Sequence, residues 1–209
     1  MRETIKSIEF QMSNYQWRGT MKFNQFLKTV CAILVLFGAI HSQHKEVKYG
    51  SLKGVIKKSL PTGGFAVKDS VVLTKEQANA VNAIYSDAGY KKNKKIIINV
   101  LKNMDSTVCG YVVRVKLVLF EFESLHDYAI VFAADKKTLT MVEILQLNDE
   151  YAEKLKNGDL FLKQFKNVKD PDSLKLGKNI DAVTEATISS DLTISAVKIV
   201  KYILSLGKS

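Results

Sequence analysis

Cysteine and histidine are scarce in this 209-residue chain, with two of one and three of the other. Cys31 lies inside an apolar run near the N-terminus and Cys109 stands alone beyond it, so the body of the chain has no internal disulfide. Past residue 43 the only histidines are His44 and His126, without spaced cysteines or acidic partners. That leaves little material for a zinc or haem site. The Gly-x-Ser-x-Gly elbow, the Walker-type phosphate loop and the dinucleotide fingerprint are all missing, which removes the commonest hydrolase and nucleotide-binding signatures. His126-Asp127 and Cys109 read as a turn histidine and a strand cysteine, because nothing in the sequence brings them together. No internal repeat or low-complexity linker divides the chain.

What is present begins with charge. The formal net charge is +10. Residues 1–43 hold five basic side chains (Arg2, Lys6, Arg18, Lys22, Lys28) and two acidic ones (Glu3, Glu9), so the remainder carries +7. The densest basic cluster, Lys91, Lys92, Lys94 and Lys95, has no arginine and sits in no recognition-helix or RNA-binding motif. It reads as a solvated loop joining a helix to a strand, and nucleic acid is not an expected partner. Attraction of acidic partners, or peripheral contact with a phospholipid surface, stays open.

The N-terminal region has the three-part layout of a secretory signal. A basic stretch from Met21 to Lys28 precedes the apolar run Val30–Ile40 and the polar boundary His41-Ser42-Gln43. The run is shorter than the roughly 20 residues a membrane span needs. We therefore expect residues 21–43 to be a signal peptide with cleavage after Ser42, and residues 1–20 to be an extension upstream of the true start at Met21. The protein would be exported, to the periplasm or the outer face of the cell envelope. About 165 residues then remain, enough for one domain.

The pattern along that domain alternates helix and strand signals. Residues 44–70, with Gly50, Gly54, Gly63 and Gly64 and β-prone pieces at Val55–Ile56 and Phe65–Val67, read as an irregular lead-in. Thr74-Lys-Glu-Gln77 is a capping box opening a helix over Lys75–Ser86 that closes near Gly89, and Ile96–Leu101 is a strand. Val108–Glu123 is one long strand or two at a bend; Tyr128–Ala134 and Thr138–Leu147 form a hairpin across Asp135-Lys136-Lys137. Asn148–Lys156 is helix-like with Asn148 as cap, Gly158 punctuates, and Leu160–Phe165 repeats an apolar pattern. The expected fold is α+β, a mainly antiparallel sheet with flanking helices, assembled from an N-terminal part (44–107) and a core (108–209).

The most informative segment is Asp-Ala-Val-Thr-Glu-Ala-Thr-Ile-Ser-Ser at 181–190. From Leu192 the apolar residues Leu192, Ala196, Val200, Ile203 and Leu204 recur at helical spacing, with Ser189 or Ser190 as the natural N-cap. Asp181, Thr184 and Thr187 crowd polar groups at the helix entrance. Free N–H donors and the positive end of the dipole make such a place a seat for phosphate, although an ordinary serine and threonine capping turn has the same local pattern.

This segment resembles the attachment motif of the FMN-binding domain family, which occurs in the sodium-translocating quinone reductase, the Rnf electron-transport complex and many exported bacterial flavoproteins. The motif runs Asp, two variable residues, Ser or Thr, Gly, Ala, Thr, then further hydroxyl residues. On this chain Asp181 matches the leading acid, Thr184 the first hydroxyl, Ala186 the small residue and Thr187 the acceptor. The resemblance spans roughly 108–206, with the run Asp-Leu-Phe-Leu-Lys-Gln-Phe at 159–165 similar to the family's segment between hairpin and attachment site. It implies FMN joined to Thr187 through a phosphoester by a flavin transferase, with Asp181, Thr184, Ala186, Ser189 and Ser190 shaping the cofactor-binding turn. It also implies an electron carrier working with envelope donor and acceptor proteins, rather than a self-contained enzyme. One position departs: Glu185 stands where the family has Gly. Either the backbone there keeps an ordinary conformation, or the Glu185 side chain turns outward. The rival expectation is a binding or structural domain of the same fold that is flavin-free or holds flavin without a covalent bond. The aromatics Tyr111, Tyr128, Phe161 and Phe165 are expected to serve packing.

Overall fold

The structure, a computed structural model, describes residues 47–119, 124–148, 153–156 and 160–207. The signal-peptide expectation and the 1–20 extension lie outside the described residues, as do residues 120–123 and 149–152. Among the described residues no helix is long and apolar enough to cross a membrane.

Six strands form one antiparallel sheet: β1 (Val47–Lys48), β2 (Phe65–Val72), β3 (Lys95–Lys102), β4 (Val108–Leu119), β5 (Ser124–Ala133) and β6 (Leu139–Leu147), in the spatial order β1-β6-β5-β4-β3-β2. The helices are α1 (Leu52–Ser59), α2 (Lys75–Ile84), the single turns α3 (Glu153–Lys156) and α4 (Leu160–Lys163), and α5 (Thr187–Leu206). The α+β architecture with a C-terminal helix is thus as expected from the sequence. β3 pairs with β4, so residues on either side of position 107 share one sheet.

Period-two alternation decides which face each strand residue takes. On β4, Val113, Val115 and Leu117 are buried on one face, while Arg114 and Lys116 emerge on the other. β5 lies between β4 and β6 and is buried on both sides: Tyr128, Ile130 and Phe132 toward the first face, Asp127, Ala129 and Val131 toward the second. Gly110 on β4 pairs with Ala133, and a Cβ there would come within 2.8 Å of the Phe132 carbonyl oxygen, so only glycine fits this close approach. The polar turn between β5 and β6 is built as the sequence suggests. Asp135 Oδ1 accepts from the Lys137 and Thr138 amides at 2.8 Å each. The Thr138 hydroxyl, then its amide, hold the Asp135 carboxyl below the usual carboxylate range.

The first face carries the main core. α5 lies on it with eleven of its twenty residues buried, among them Leu192, Ala196, Val197, Ile199, Val200 and Ile203. Each large aliphatic side chain fully removed from water is worth about 1.5–3 kcal/mol. α2 adds Ala78 and Val81 to the same core. Its capping box is present, with Thr74 and Gln77 exchanging side chain and backbone bonds, and the chain leaves it through a 3₁₀ turn at Ser86–Ala88 and a left-handed Gly89. Phe161 and Phe165 meet edge to face in this core at 5.2 Å, while Tyr111 is half-buried with Lys136 over its ring.

Three expectations change. Residues 52–59 are helical, not irregular: Ser51 caps α1 by accepting from the Gly54 amide. Leu52, Val55 and Ile56 then project from one side of the helix and pack with Leu101, Val112, Ala129, Val131 and Leu145 on the second face of the sheet. The β-prone pair Val55–Ile56 is overridden because the sheet needs a cover there. β5 begins at Ser124, four residues before the expected Tyr128. The described part of Val108–Glu123 is the strand β4, with 120–123 outside the described residues, and the described part of Asn148–Lys156 beyond Asn148 is the helical turn α3. Finally, α5 starts at Thr187, with Ala186 at the cap position and no side chain capping it, so neither Ser189 nor Ser190 is the cap.

A buried chain of polar side chains ties α5 to β5. The Ser124 hydroxyl meets His126 Nε2 at 2.9 Å, His126 Nδ1 meets the Tyr128 hydroxyl at 3.1 Å, and that hydroxyl meets Thr193 Oγ1 at 3.1 Å. Thr193 in turn donates to the Ser189 carbonyl at 2.9 Å. Buried polar atoms left without partners are costly, so the chain acts as a unit. Tyr128→Phe removes two of these bonds at constant shape and is expected to lower stability by about 1–2 kcal/mol. The check is a urea unfolding midpoint that falls with unchanged slope; an unmoved midpoint refutes the role given to the hydroxyl.

Candidate functional site

The 181–190 segment is held from two sides. Ahead of it, Ile180 is buried and pairs with Leu176 in an isolated bridge. Gln164, just after α4, clamps the backbone of Asp181 with both ends of its amide: Oε1 accepts from the Asp181 N–H at 2.8 Å and Nε2 donates to the Asp181 carbonyl at 3.3 Å. The Asp181 side chain itself is exposed. Behind, Ser190 is fully buried and stitches the turn to the helix. Its hydroxyl donates to the Ala186 carbonyl at 2.8 Å and accepts from the Val183 amide at 3.4 Å.

Between these anchors the chain makes one tight turn, closed by the Ala186 amide donating to the Val183 carbonyl at 2.9 Å. Thr184 and Glu185 occupy its two central positions. Glu185 has φ +66°, in the left-handed region. A positive φ at the second central residue is the pattern of a type II turn, which glycine fills without strain and other residues fill at a cost of about 1 kcal/mol or more. So the backbone at 185 is the one glycine favours, although the residue is glutamate. Its side chain points out, and its carboxylate pairs with Lys154 of α3.

The turn delivers the chain into α5 with a particular division of residues. Thr184 and Thr187 are exposed, whereas Ala186, Ser189 and Ser190 are buried. Thr187 takes the first helical position, no side chain caps this terminus, and its first turn holds no acid. A hydroxyl therefore stands in the open beside helix-terminal amides, with the nearest carboxylate of the turn drawn off by a lysine. This end of the helix favours an anion through its N–H groups and dipole, worth about 0.3–1 kcal/mol in exposed settings. The arrangement suits esterification of Thr187 by a phosphate. The serines, by contrast, are structural: both are buried, and the Ser190 hydroxyl is already spent on the turn's own backbone.

A cleft of about 540 Å³ takes much of its lining from the second face of the sheet, and no residue of 181–190 borders it. Leu162 and Lys163, immediately before Gln164, form one wall, and Leu101, Val131 and Met141 contribute apolar surface from the sheet. Cys109 borders it too. His126 and Asp127, adjacent on β5, face opposite sides of the sheet, and Cys109 is eight residues along β4 from Leu117, the partner of His126. They are not one site. Gln164 and Lys154, which position the turn, carried no signal in the sequence; Gln164 sits inside the 159–165 run but nothing local assigns it a role.

Compared with known proteins, the chain matches no family model, no curated sequence and no solved structure.

The conformation at 185 makes an ordered series of stabilities. Glu185→Gly removes the left-handed strain and one exposed ion pair, while Glu185→Val puts a β-branched residue into the same region. The expected order is Gly, Glu, Val, from most to least stable, with about 2 kcal/mol between the ends. Thermal unfolding of the three proteins checks it; a valine variant as stable as the glycine variant would contradict the left-handed turn.

Proposed function

We propose that this chain is an exported FMN-carrying domain, with the flavin esterified to Thr187, that passes electrons within a cell-envelope redox chain. The single observation that carries the reading is the left-handed φ of +66° at Glu185. The motif's glycine is replaced in side chain only; the backbone course that brings an exposed threonine to the helix terminus is the one a glycine there would take.

The residues of the turn divide the work. Thr187 would supply the acceptor oxygen: its Oγ–P bond forms as the phosphoanhydride of a flavin dinucleotide donor breaks, with the hydroxyl proton and a nucleoside monophosphate leaving. The first-turn amides of α5 face the phosphate's remaining charge. Thr184 is exposed next to Glu185 in the same turn and is available as a further hydroxyl donor, and Asp181 leads the segment with its carboxylate exposed. Ala186, Ser189 and Ser190 act from beneath by fixing the turn, and Gln164 fixes its start. Lys154 keeps the Glu185 carboxylate from repelling an incoming phosphate. Bound FMN would supply one- or two-electron chemistry. The implied partners are a flavin transferase and envelope proteins that donate and accept the electrons.

A second reading, a domain of the same fold that is flavin-free or holds flavin non-covalently, draws on the glutamate itself, since a carboxylate at this position is one that a transferase must tolerate. Co-expression with a flavin transferase separates the two. The expected result is a protein that keeps flavin absorbance after denaturation and shows an FMN-sized mass increase, both lost in Thr187→Ala. No increase in the parent chain overturns covalent attachment, and yellow native protein that bleaches on denaturation supports non-covalent binding. Labelling that appears only in Glu185→Gly identifies that side chain as the block.

A further inference from the structure

On the second face of the sheet, opposite α5, lies a concavity of about 430 Å³ between Leu52 of α1 and the Gly89-Tyr90 loop. Five cations line it: Lys68 from β2, Lys94 and Lys95 at the start of β3, and Arg114 and Lys116 from β4. The register explains their convergence. Lys68 pairs with Asn99, Asn99 with Val112, and Arg114 and Lys116 follow Val112 at alternate positions on the same face.

Among the described residues one acid pairs with them. Asp127 of β5 has a fully buried side chain, and Arg114 grips it with Nε at 2.9 Å from Oδ1 and Nη2 at 2.5 Å from Oδ2. Lys116 Nζ lies 3.7 Å from the same carboxylate. The hydrogen bond from Arg114 to Asp127 raises the Arg114 pKa above its ordinary value. The grip leaves the guanidinium oriented rather than free to swing, with Nε and Nη2 both committed to Asp127. Among the described residues Lys68, Lys94 and Lys95 have no ion-pair partner. Scattered surface lysines need no explanation, since each is solvated alone. Five cations round one hollow, one of them aimed by a buried carboxylate, repel one another and are relieved by a multiply charged anion.

We infer that this cavity binds a phosphorylated ligand carrying two or more negative charges, with Arg114 as the fixed anchor set by Asp127 and the four lysines as mobile cations around it. Compact ammonium groups and a planar guanidinium together match phosphate oxygens. The chemistry is shared by free polyphosphate-type ligands and by phospholipid headgroups. The cavity is on the other face of the sheet from Thr187, so the inference stands apart from flavin attachment.

The test uses the full chain and inorganic pyrophosphate as probe, titrated by calorimetry at low salt. Lys68→Gln/Lys95→Gln spares the Arg114–Asp127 pair, and Lys175→Gln/Lys178→Gln removes two exposed charges elsewhere as a control; unfolding midpoints verify that both fold. The expected result is one site per chain, weakened about tenfold in the first variant and unchanged in the second. No binding at ~1 mM probe, or equal weakening in both variants, overturns the site. Flotation with phosphatidylglycerol and phosphatidylcholine vesicles assigns the source. Retention on the anionic vesicles alone, competed by pyrophosphate, points to a headgroup, and pyrophosphate binding without retention points to a free ligand. Retention that survives both pyrophosphate and the double variant overturns the proposal.

Discussion

The burial of α5 against the first face of the sheet is the constraint from which the rest follows. A 20-residue helix with eleven buried positions has little rotational freedom. At about 100° per residue, once Ser190, Ala196, Val197 and Val200 face the sheet, Ile188 and Asp191 are turned out and Thr187 stands clear at the terminus. The exposure of Thr187 is a consequence of the apolar stripe that begins downstream of it. The polar chain from Ser124 through His126 and Tyr128 to Thr193 adds direction to what apolar packing leaves approximate, because hydrogen bonds fail over tenths of an ångström where hydrophobic contacts slide.

The same sheet imposes a second requirement on its other face. β5 is buried on both sides, so something must cover Ala129 and Val131, and α1 does. Its cover stops short of Asp127, which is buried beneath Arg114 and Lys116 instead. A buried carboxylate is tolerable only when paired, and removing one partner of such a pair costs more than the pair contributes. The two halves of the second face thus satisfy one burial problem in different ways, apolar under α1 and ionic beside it. The ionic solution gathers the lysines of neighbouring strands into one place.

How far this was legible in the sequence depends on whether the deciding interaction is local. The Asp135 turn and the Thr74–Gln77 capping box were readable because donor and acceptor lie three residues apart. The alternation of β4 was readable because the sheet's two faces differ in chemistry there. α1 was not, although Ser51 and the spacing of Leu52, Val55 and Ile56 are a helix signature in hindsight. Nearby glycines and β-branched residues gave a competing local signal, and only the need to cover β5 decides between them. The start of α5 failed for a related reason. Thr187, Ser189 and Ser190 all look like caps, and it is the depth at which the helix packs that buries the serines. Gln164 has no local signature because its partner is seventeen residues away.

Position 185 shows how a turn keeps a backbone course that its own residue disfavours. A side chain with a Cβ is strained in the left-handed region, yet leaving that region would disturb the hydrogen bond from Ala186 to Val183 and the start of α5. Here the backbone stays at φ +66°, because the clamp at Asp181 and the stitch at Ser190 fix both ends of a short segment that has few other ways to connect them. Local strain of this kind persists when the surroundings over-determine it. The side chain is then left with the solvent direction, and Lys154 takes up its charge. The left-handed course at 185 is therefore kept by its surroundings: the anchored ends of the segment bring Thr187 forward, and what the glutamate adds is surface charge met by Lys154.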